Sequence, residues 1–367
     1  MSTRMRAARL HSPGEGLIVD TIDRPELRAG DILVRVASCG VIPNMNAIFS
    51  GSLWNHLPPL PASVGLDAAG TIAAVGGDVV DFKIGDRVYV NPWLSCGACS
   101  YCRAHEPMLC SAAGFQGYFG FFPQSRRVLD AYPIGGFSEY MTAAPNRLVR
   151  LPEEVGFDQA ARFGYLGTSF AALRAGAVGA GSWVAINGVT GTLGVGATLL
   201  ALGMGATRIL GLGRNRAVLD RVRALAPNRI STLALGERSI AEWLREQTEG
   251  LGVDTLIDCS GRGAEASHTA DALGGLKRGG VCVNIGALTE KLAIEPIKFM
   301  TNRIRFQGSN WFTTGEGQLM AEMARVGVLD LSKLDTEAFP LDGVNEALAR
   351  VKQRPGGFTN IVVNPGR

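Results

Sequence analysis

Between residues 31 and 90, apolar and polar positions alternate in short runs. Ile32, Val34 and Val36 share one face of an extended segment, and Val88 and Val90 repeat the spacing after the turn residues Gly85-Asp86. A period of two is the mark of a half-buried strand. A further strand-like piece follows at Gly136-Phe137-Ser138-Glu139-Tyr140. Near Gly156 the texture changes. Residues 158–175 carry apolar positions at helical spacing, and 183–187 form an apolar strand. A glycine-rich turn, a helix to about 204 and a strand at 208–212 come next. More strands are predicted at 254–259, 281–285 and 303–307, with helical stretches between them. Such alternation builds a parallel sheet with helices on both faces. The last sixty residues return to mixed structure. The fold class is therefore α/β, with a β-rich part beside a doubly wound parallel sheet.

A chain of 367 residues suggests two domains at roughly 100–200 residues each. Its 46% hydrophobic and 19% charged residues set it apart from disordered chains. The net charge of +3 comes without a basic run interleaved with aromatics, which argues against nucleic acid as a partner. The arginines near the N-terminus have no apolar stretch behind them, unlike a secretory signal. No uncharged apolar run reaches the roughly 18 residues of a membrane span. The longest candidate, from Leu193 to Ala206, is interrupted by glycines and reads as a buried helix. A cytoplasmic location is the default expectation.

Four of the seven cysteines crowd into fifteen residues, as Cys96, Cys99, Cys102 and Cys110. In a reducing compartment this crowding points to metal more than to disulfides. Zinc takes four soft ligands at tetrahedral corners, and thiolates spaced by two residues reach one ion from a tight turn. A four-cysteine site leaves no open coordination position, so the expected zinc is structural. Four free thiols or two disulfides are the alternative.

The strand Trp183–Asn187 runs into Gly188-Val189-Thr190-Gly191-Thr192-Leu193-Gly194 and then a helix. Glycines there let a backbone approach a pyrophosphate, and a helix N-terminus offers free N–H groups and a favourable dipole. The spacing is G-x-x-G-x-x-G instead of the usual G-x-G-x-x-G, and a ligand-free tight turn is the bland alternative. At the end of the next strand an acid would bind the adenosine ribose of NAD. Here the chain reads Gly213-Arg214-Asn215-Arg216, which suits the 2′-phosphate of NADP(H). Two solvated surface arginines would look the same. NADPH is the expected coenzyme, with Ser169 and Gly286 as further contacts.

Taken together, the cysteine lobe, Gly85-Asp86-Arg87-Val88, Gly136–Tyr140 and the dinucleotide turn resemble the zinc-containing medium-chain alcohol dehydrogenase family, in family order and along nearly the whole chain. The resemblance implies a GroES-like catalytic domain from residues 1–157 and 309–367, with the zinc lobe at 92–112. It implies a Rossmann domain over 158–308, and a homodimer or homotetramer. It also implies a second, catalytic zinc, and there the sequence departs. Cys39 keeps the first ligand of the family pattern. Leu66 stands where the histidine of a Gly-His-Glu motif belongs, Tyr165 takes the place of the third ligand, and Asn44 replaces the proton-relay hydroxyl. The catalytic zinc is expected to be absent. A rearranged metal site through Cys39, His56 and Asp67 is the rival arrangement.

Without a Lewis acid, oxidation of an unactivated alcohol is hard, whereas an electron-poor C=C, C=N or C=O bond can accept hydride. Tyr165 is the candidate donor, or else a core aromatic filling the metal's place. His56 is the other possible acid, or else an ordinary loop histidine. Trp54, Trp93, Tyr118, Phe119, Phe121, Phe122, Trp311 and Phe312 suggest, as a cluster, a small-molecule substrate that is bulky or planar. The expected activity is NADPH-dependent reduction without a catalytic zinc. The other readings are a zinc alcohol dehydrogenase with a rearranged site and a non-catalytic NADPH-binding protein.

Overall fold

The computed structural model describes residues 3–53 and 56–366. A seven-stranded, mostly antiparallel sheet draws its strands from both ends of the chain. Its order is Leu148–Arg150, Arg87–Val90, Asp67–Val75, Ile32–Gly40, Thr359–Asn364 and Asp335–Pro340, with Tyr140–Ala143 also paired to Ile32–Gly40. The central strand sets the chemistry. Its register against Asp67–Val75 runs from Ile32 opposite Val75 to Gly40 opposite Asp67, so Cys39 and Asp67 meet at one end of the sheet.

The middle of the chain forms a six-stranded sheet. Helix α1 (Phe163–Ala175) leads into β1 (Trp183–Asn187), and α2 (Thr192–Gly203) connects β1 to β2 (Arg208–Gly213). The remaining strands are β3 (Ile230–Ala234), β4 (Val253–Asp258), β5 (Leu276–Asn284) and β6 (Arg305–Gly308). The order is β3-β2-β1-β4-β5-β6, parallel throughout. Strand order reverses between β1 and β4, which opens a crevice at the carboxyl ends of those strands, the usual ligand position in such sheets. The fold is α/β, a GroES-like part beside a Rossmann-like sheet. Helix α2 is buried along most of its length, as the glycine-interrupted apolar run suggests. Among the described residues no helix is long and apolar enough to cross a membrane.

Two local readings need correction. The strand expected at Gly136–Tyr140 begins only at Tyr140. At Gly136 the backbone presses on Cys39, where a Cβ would stand 2.6 Å from Sγ, and Phe137 turns to bond Ala8 and Val64. The helical stretch 158–175 is broken into Phe157–Ala160 and α1. At the break Ala161 packs its carbonyl against Gly40, and Arg162 turns its side chain onto backbone carbonyls of other segments.

Candidate active site

Cys96, Cys99, Cys102 and Cys110 converge, with sulfur atoms all within 4.8 Å of one another. None is in a disulfide. Backbone N–H groups of Cys99 and Cys96 donate to the sulfurs of Cys96 and Cys110 at 3.3 Å, and that of Ala112 donates to Cys110 Sγ at 3.4 Å. Amide donors aimed at sulfur favour the thiolate form, which is the form that binds zinc. The four residues fit one closed zinc site, whose role would be to hold the lobe together.

A cavity of about 770 Å³ opens at the switch point between β1 and β4 and reaches the end of the antiparallel sheet. Its outer half is the dinucleotide turn. Gly188 sits at φ +77°, a left-handed conformation that a side chain would strain, and so reverses the chain tightly after β1. Helix α2 starts at Thr192 without a side-chain cap, which leaves its first N–H groups for a ligand. Gly188, Gly191, Thr192, Leu193, Gly213, Arg214, Asn215 and Gly286 all line this half.

Three expected contacts lie elsewhere. Gly194 is in the first turn of α2, backed onto Gly188. Ser169 donates to the Leu193 carbonyl at 2.9 Å and steadies the turn from behind. Arg216 pairs with Glu237 on the surface, whereas Arg214 makes no ion pair among the described residues. Asn215 accepts from Val218 N–H at 3.2 Å and caps the next helix.

The inner half is apolar. Ile42, Leu53, Leu66, Phe115, Tyr118, Phe119, Phe121 and Trp311 form its walls, with Asn44 and Tyr165 as polar members. Of the other aromatics singled out in the sequence, Trp93, Phe122 and Phe312 lie outside the wall, and Trp54 is outside the described residues. His56 is also off the wall, and its carbonyl accepts from Gly120 N–H.

Two family models match the chain: the alcohol dehydrogenase GroES-like domain over residues 28–153 and the zinc-binding dehydrogenase domain over residues 192–325. An alcohol dehydrogenase of Geobacillus stearothermophilus is 29% identical over 353 residues, which is 95% of this chain and 96% of the relative. The crystal structure of AibC superposes with a TM-score of 0.85 at 25% identity, covering 99% of this chain and 96% of AibC. A zinc-binding dehydrogenase of Sinorhizobium meliloti 1021, solved with NADP, superposes with a TM-score of 0.83 at 24% identity, over 99% of this chain and 100% of that one. The chain belongs to the zinc-type medium-chain alcohol dehydrogenase family. It is an oxidoreductase of that type.

Against the family pattern for a catalytic zinc, the inner end of the cavity is built differently. Leu66 is on the wall and offers no lone pair. Cys39 and Asp67 are wholly buried behind the wall. Burial, and then the charge of Asp67, push the Cys39 thiol up. Asp67 accepts from the Tyr89 hydroxyl at 2.7 Å, while its other oxygen has no partner among the described residues. Its carboxylate lies flat against α1 at Gly164, where any Cβ would overlap it. Burial raises Asp67 from 3.8 to about 7, against the opposing pull of the Tyr89 bond and the Arg162 charge. Among the described residues, the four lobe cysteines are the only group of three or more His, Cys, Asp or Glu side chains that could share an ion. Cys39, His56 and Asp67 therefore do not assemble the rearranged site, and the residues at the catalytic-zinc position do not fit the ion.

Several residues escaped the sequence reading. Arg162 is buried at the cavity edge, donating to the carbonyls of Thr359 at 3.1 Å, Gly357 at 2.7 Å and Thr192 at 3.4 Å. Its guanidinium lies 5.9 Å from the Tyr165 ring centre. A cation directly ahead of the mostly apolar first turns of α1 was the signal available in the sequence. Arg262, Lys352 and Arg354 join Arg214 on the cavity wall, where Glu265 is the one acid among the lining residues. Lys352 and Arg354 arrive from the C-terminal segment, which crosses back over the turn and bonds Gly357 N–H to Thr190 O at 2.9 Å. No local pattern announces that return.

Proposed function

We propose that this family member is an NADPH-dependent reductase of an activated C=C, C=N or C=O bond that works without a catalytic zinc. The carrying observation is the donor set at the inner end of the cavity, with leucine and tyrosine on the wall and both Cys39 and Asp67 sealed behind it. Lacking a Lewis acid, such a site gives an alkoxide little stabilisation. An electron-poor bond is easier, because its developing charge needs only a hydrogen-bond donor. Bound NADPH supplies the hydride. Tyr165 gives the hydrogen bond or proton to the acceptor atom. Burial, helped by the Asp67 charge and opposed by Arg162, holds this phenol protonated at neutral pH, the state a donor requires. Asn44 can orient the substrate but carries no titratable proton. The aromatic walls suit a bulky or planar molecule.

The proposed division places residues 1–157 and 309–367 in the catalytic domain and 158–308 in the dinucleotide domain. A cytoplasmic, reducing compartment suits four zinc-bound thiolates. The test is metal analysis of the purified protein together with NADPH oxidation in the presence of conjugated carbonyl compounds. One zinc per chain with substrate-dependent NADPH oxidation is expected. Two zincs per chain would return the protein to zinc alcohol dehydrogenase chemistry.

Coenzyme choice is assigned to Arg214, a cation on the cavity wall with no ion-pair partner among the described residues. Arg214→Ala should weaken NADPH binding by about 1–3 kcal/mol, as for loss of a charge-assisted hydrogen bond, and leave NADH unaffected. Calorimetric titration with both coenzymes measures this, and equal losses for the two would remove Arg214 from the phosphate site.

The outer strand β6 carries exposed Phe306, and Ile297 and Met300 are exposed on the helix before it. An apolar sheet edge of this kind calls for a cover. The protein is proposed to work as a homodimer or homotetramer through it. Light scattering should give a mass of two or four chains, and Phe306→Lys should lower it; a monomeric parent would refute the assignment.

A further inference from the structure

The proposed reading uses one phenol, yet a second stands at the same end of the cavity. Tyr118 is 3% exposed and lines the apolar half. Its hydroxyl has no hydrogen-bond partner among the described residues. Its ring is fixed on three sides, by Phe119 at 5.0 Å, Phe49 at 6.0 Å and Phe115 at 6.5 Å between ring centres. Buried hydroxyls are nearly always bonded, since an unmade hydrogen bond in a dry place is costly. A tyrosine held in this way with an unpartnered donor takes its acceptor from a buried water or from the ligand.

The surroundings favour the ligand. Burial pushes the Tyr118 hydroxyl well above its ordinary range, so it too remains a donor at neutral pH, and both tyrosines line the same cavity. Every cavity-lining residue that precedes Arg162 in the chain is uncharged, and the cations other than Arg162 collect at the dinucleotide end. The apolar end thus carries two neutral phenols, Tyr118 and Tyr165, in an aromatic wall.

We propose that Tyr118 donates a hydrogen bond to the acceptor oxygen of the substrate alongside Tyr165, and that the pair selects neutral, planar, conjugated carbonyl compounds. This rests on the reductase reading above. As hydride adds to the electron-poor carbon, the electron pair of the reduced bond moves toward the oxygen, NADPH becomes NADP+, and the phenols meet the growing negative charge. Tyr165 or water supplies the proton that completes the two-electron reduction. The bond from Tyr118 is worth more in the transition state than in the bound ground state, because charge is larger there.

The experiment compares the parent, Tyr118→Phe, Tyr165→Phe and the double variant. It uses NADPH with trans-cinnamaldehyde, 2-cyclohexenone and 1,4-benzoquinone, plus thermal melts of the free proteins. Because the hydroxyl has no partner in the fold, Tyr118→Phe should melt at the same temperature as the parent or higher. Its kcat should fall about 10–100-fold with KM changed less than about threefold, the signature of a contact realised in the transition state. The double variant should lose less than the product of the single losses, as for two donors sharing one oxygen. A melting temperature lowered by several degrees would show a structural hydroxyl and overturn the proposal. So would an unchanged kcat in Tyr118→Phe beside an active parent, which leaves the reductase reading intact. A parent inert toward all three compounds would instead take down that reading, and this proposal with it.

Discussion

Arg162→Leu is expected to lower the free energy of unfolding by about 3–5 kcal/mol, the range for removing one partner from a buried charged network. Arg162 is 6% exposed, and its guanidinium is shared among three backbone carbonyls from two distant segments, the N-terminus of α2 and the stretch from Gly357 to Thr359. Leucine fills much of the volume but leaves the Gly357 and Thr359 carbonyls without this donor, at about 1–3 kcal/mol apiece if neither relaxes toward water, while the Thr192 carbonyl keeps its bond within α2. The same change strips Asp67 of its opposing charge. Burial draws Arg162 down only to about 10, so it is still charged at neutral pH. Urea titration at pH 7 gives the number. A loss below about 1 kcal/mol would mean that these carbonyls find other donors and that Arg162 does not bind the C-terminal segment to the turn.

Arg162 also shows where reading the sequence stops. Five of the six strands of the parallel sheet were expected from the sequence, β1, β2, β4 and β5 because each holds a short apolar run, whereas β3 (Ile230–Ala234) was missed. The turn after β1 declared itself by its glycines. The cysteine lobe was legible because its four ligands lie within fifteen residues and need only local geometry to converge. Lys352 and Arg354 reach the cavity through a chain return that no window of sequence contains, and Arg162, though three residues from Tyr165, finds its carbonyl partners only in the fold. The converse also held. Arg216 and Ser169 have plausible positions in the sequence, yet one turns outward to Glu237 and the other supports the turn from behind. His56, placed in a loop region by resemblance, lies off the cavity wall because its segment bonds through the backbone to Gly120. Gly164 is the subtlest case: its missing side chain makes room for Asp67, a fact visible only once α1 is packed on the sheet.

Asp67→Asn is expected to stabilise the protein at pH 8 by up to about 4 kcal/mol and to change little at pH 4. A rise in pKa from 3.8 to about 7 corresponds to that much free energy at about 1.4 kcal/mol per unit. Desolvation is the largest cause, as expected for a wholly buried carboxyl with one hydrogen bond and one unpartnered oxygen. Because the folded pKa lies above the unfolded one, the native state holds a proton that the unfolded chain has released. Unfolding free energy from this group therefore falls as pH rises from about 4 to about 7, and levels off above. Asparagine keeps the shape and an acceptor for the Tyr89 hydroxyl but cannot ionise, so its curve should lack that descent. Denaturant titrations of both proteins between pH 4 and pH 8 measure the gap, and parallel curves would place the Asp67 carboxylate in an environment as favourable as water. The two predictions are also coupled. With Arg162 replaced by leucine, only the Tyr89 bond offsets the ionised Asp67, so the double variant should be more stable at pH 8 than Arg162→Leu alone by more than Asp67→Asn gains in the parent. A buried acid that is costly while ionised persists here beside a leucine and two phenols, and it does so because Tyr89, Gly164 and Arg162 are all shaped around it.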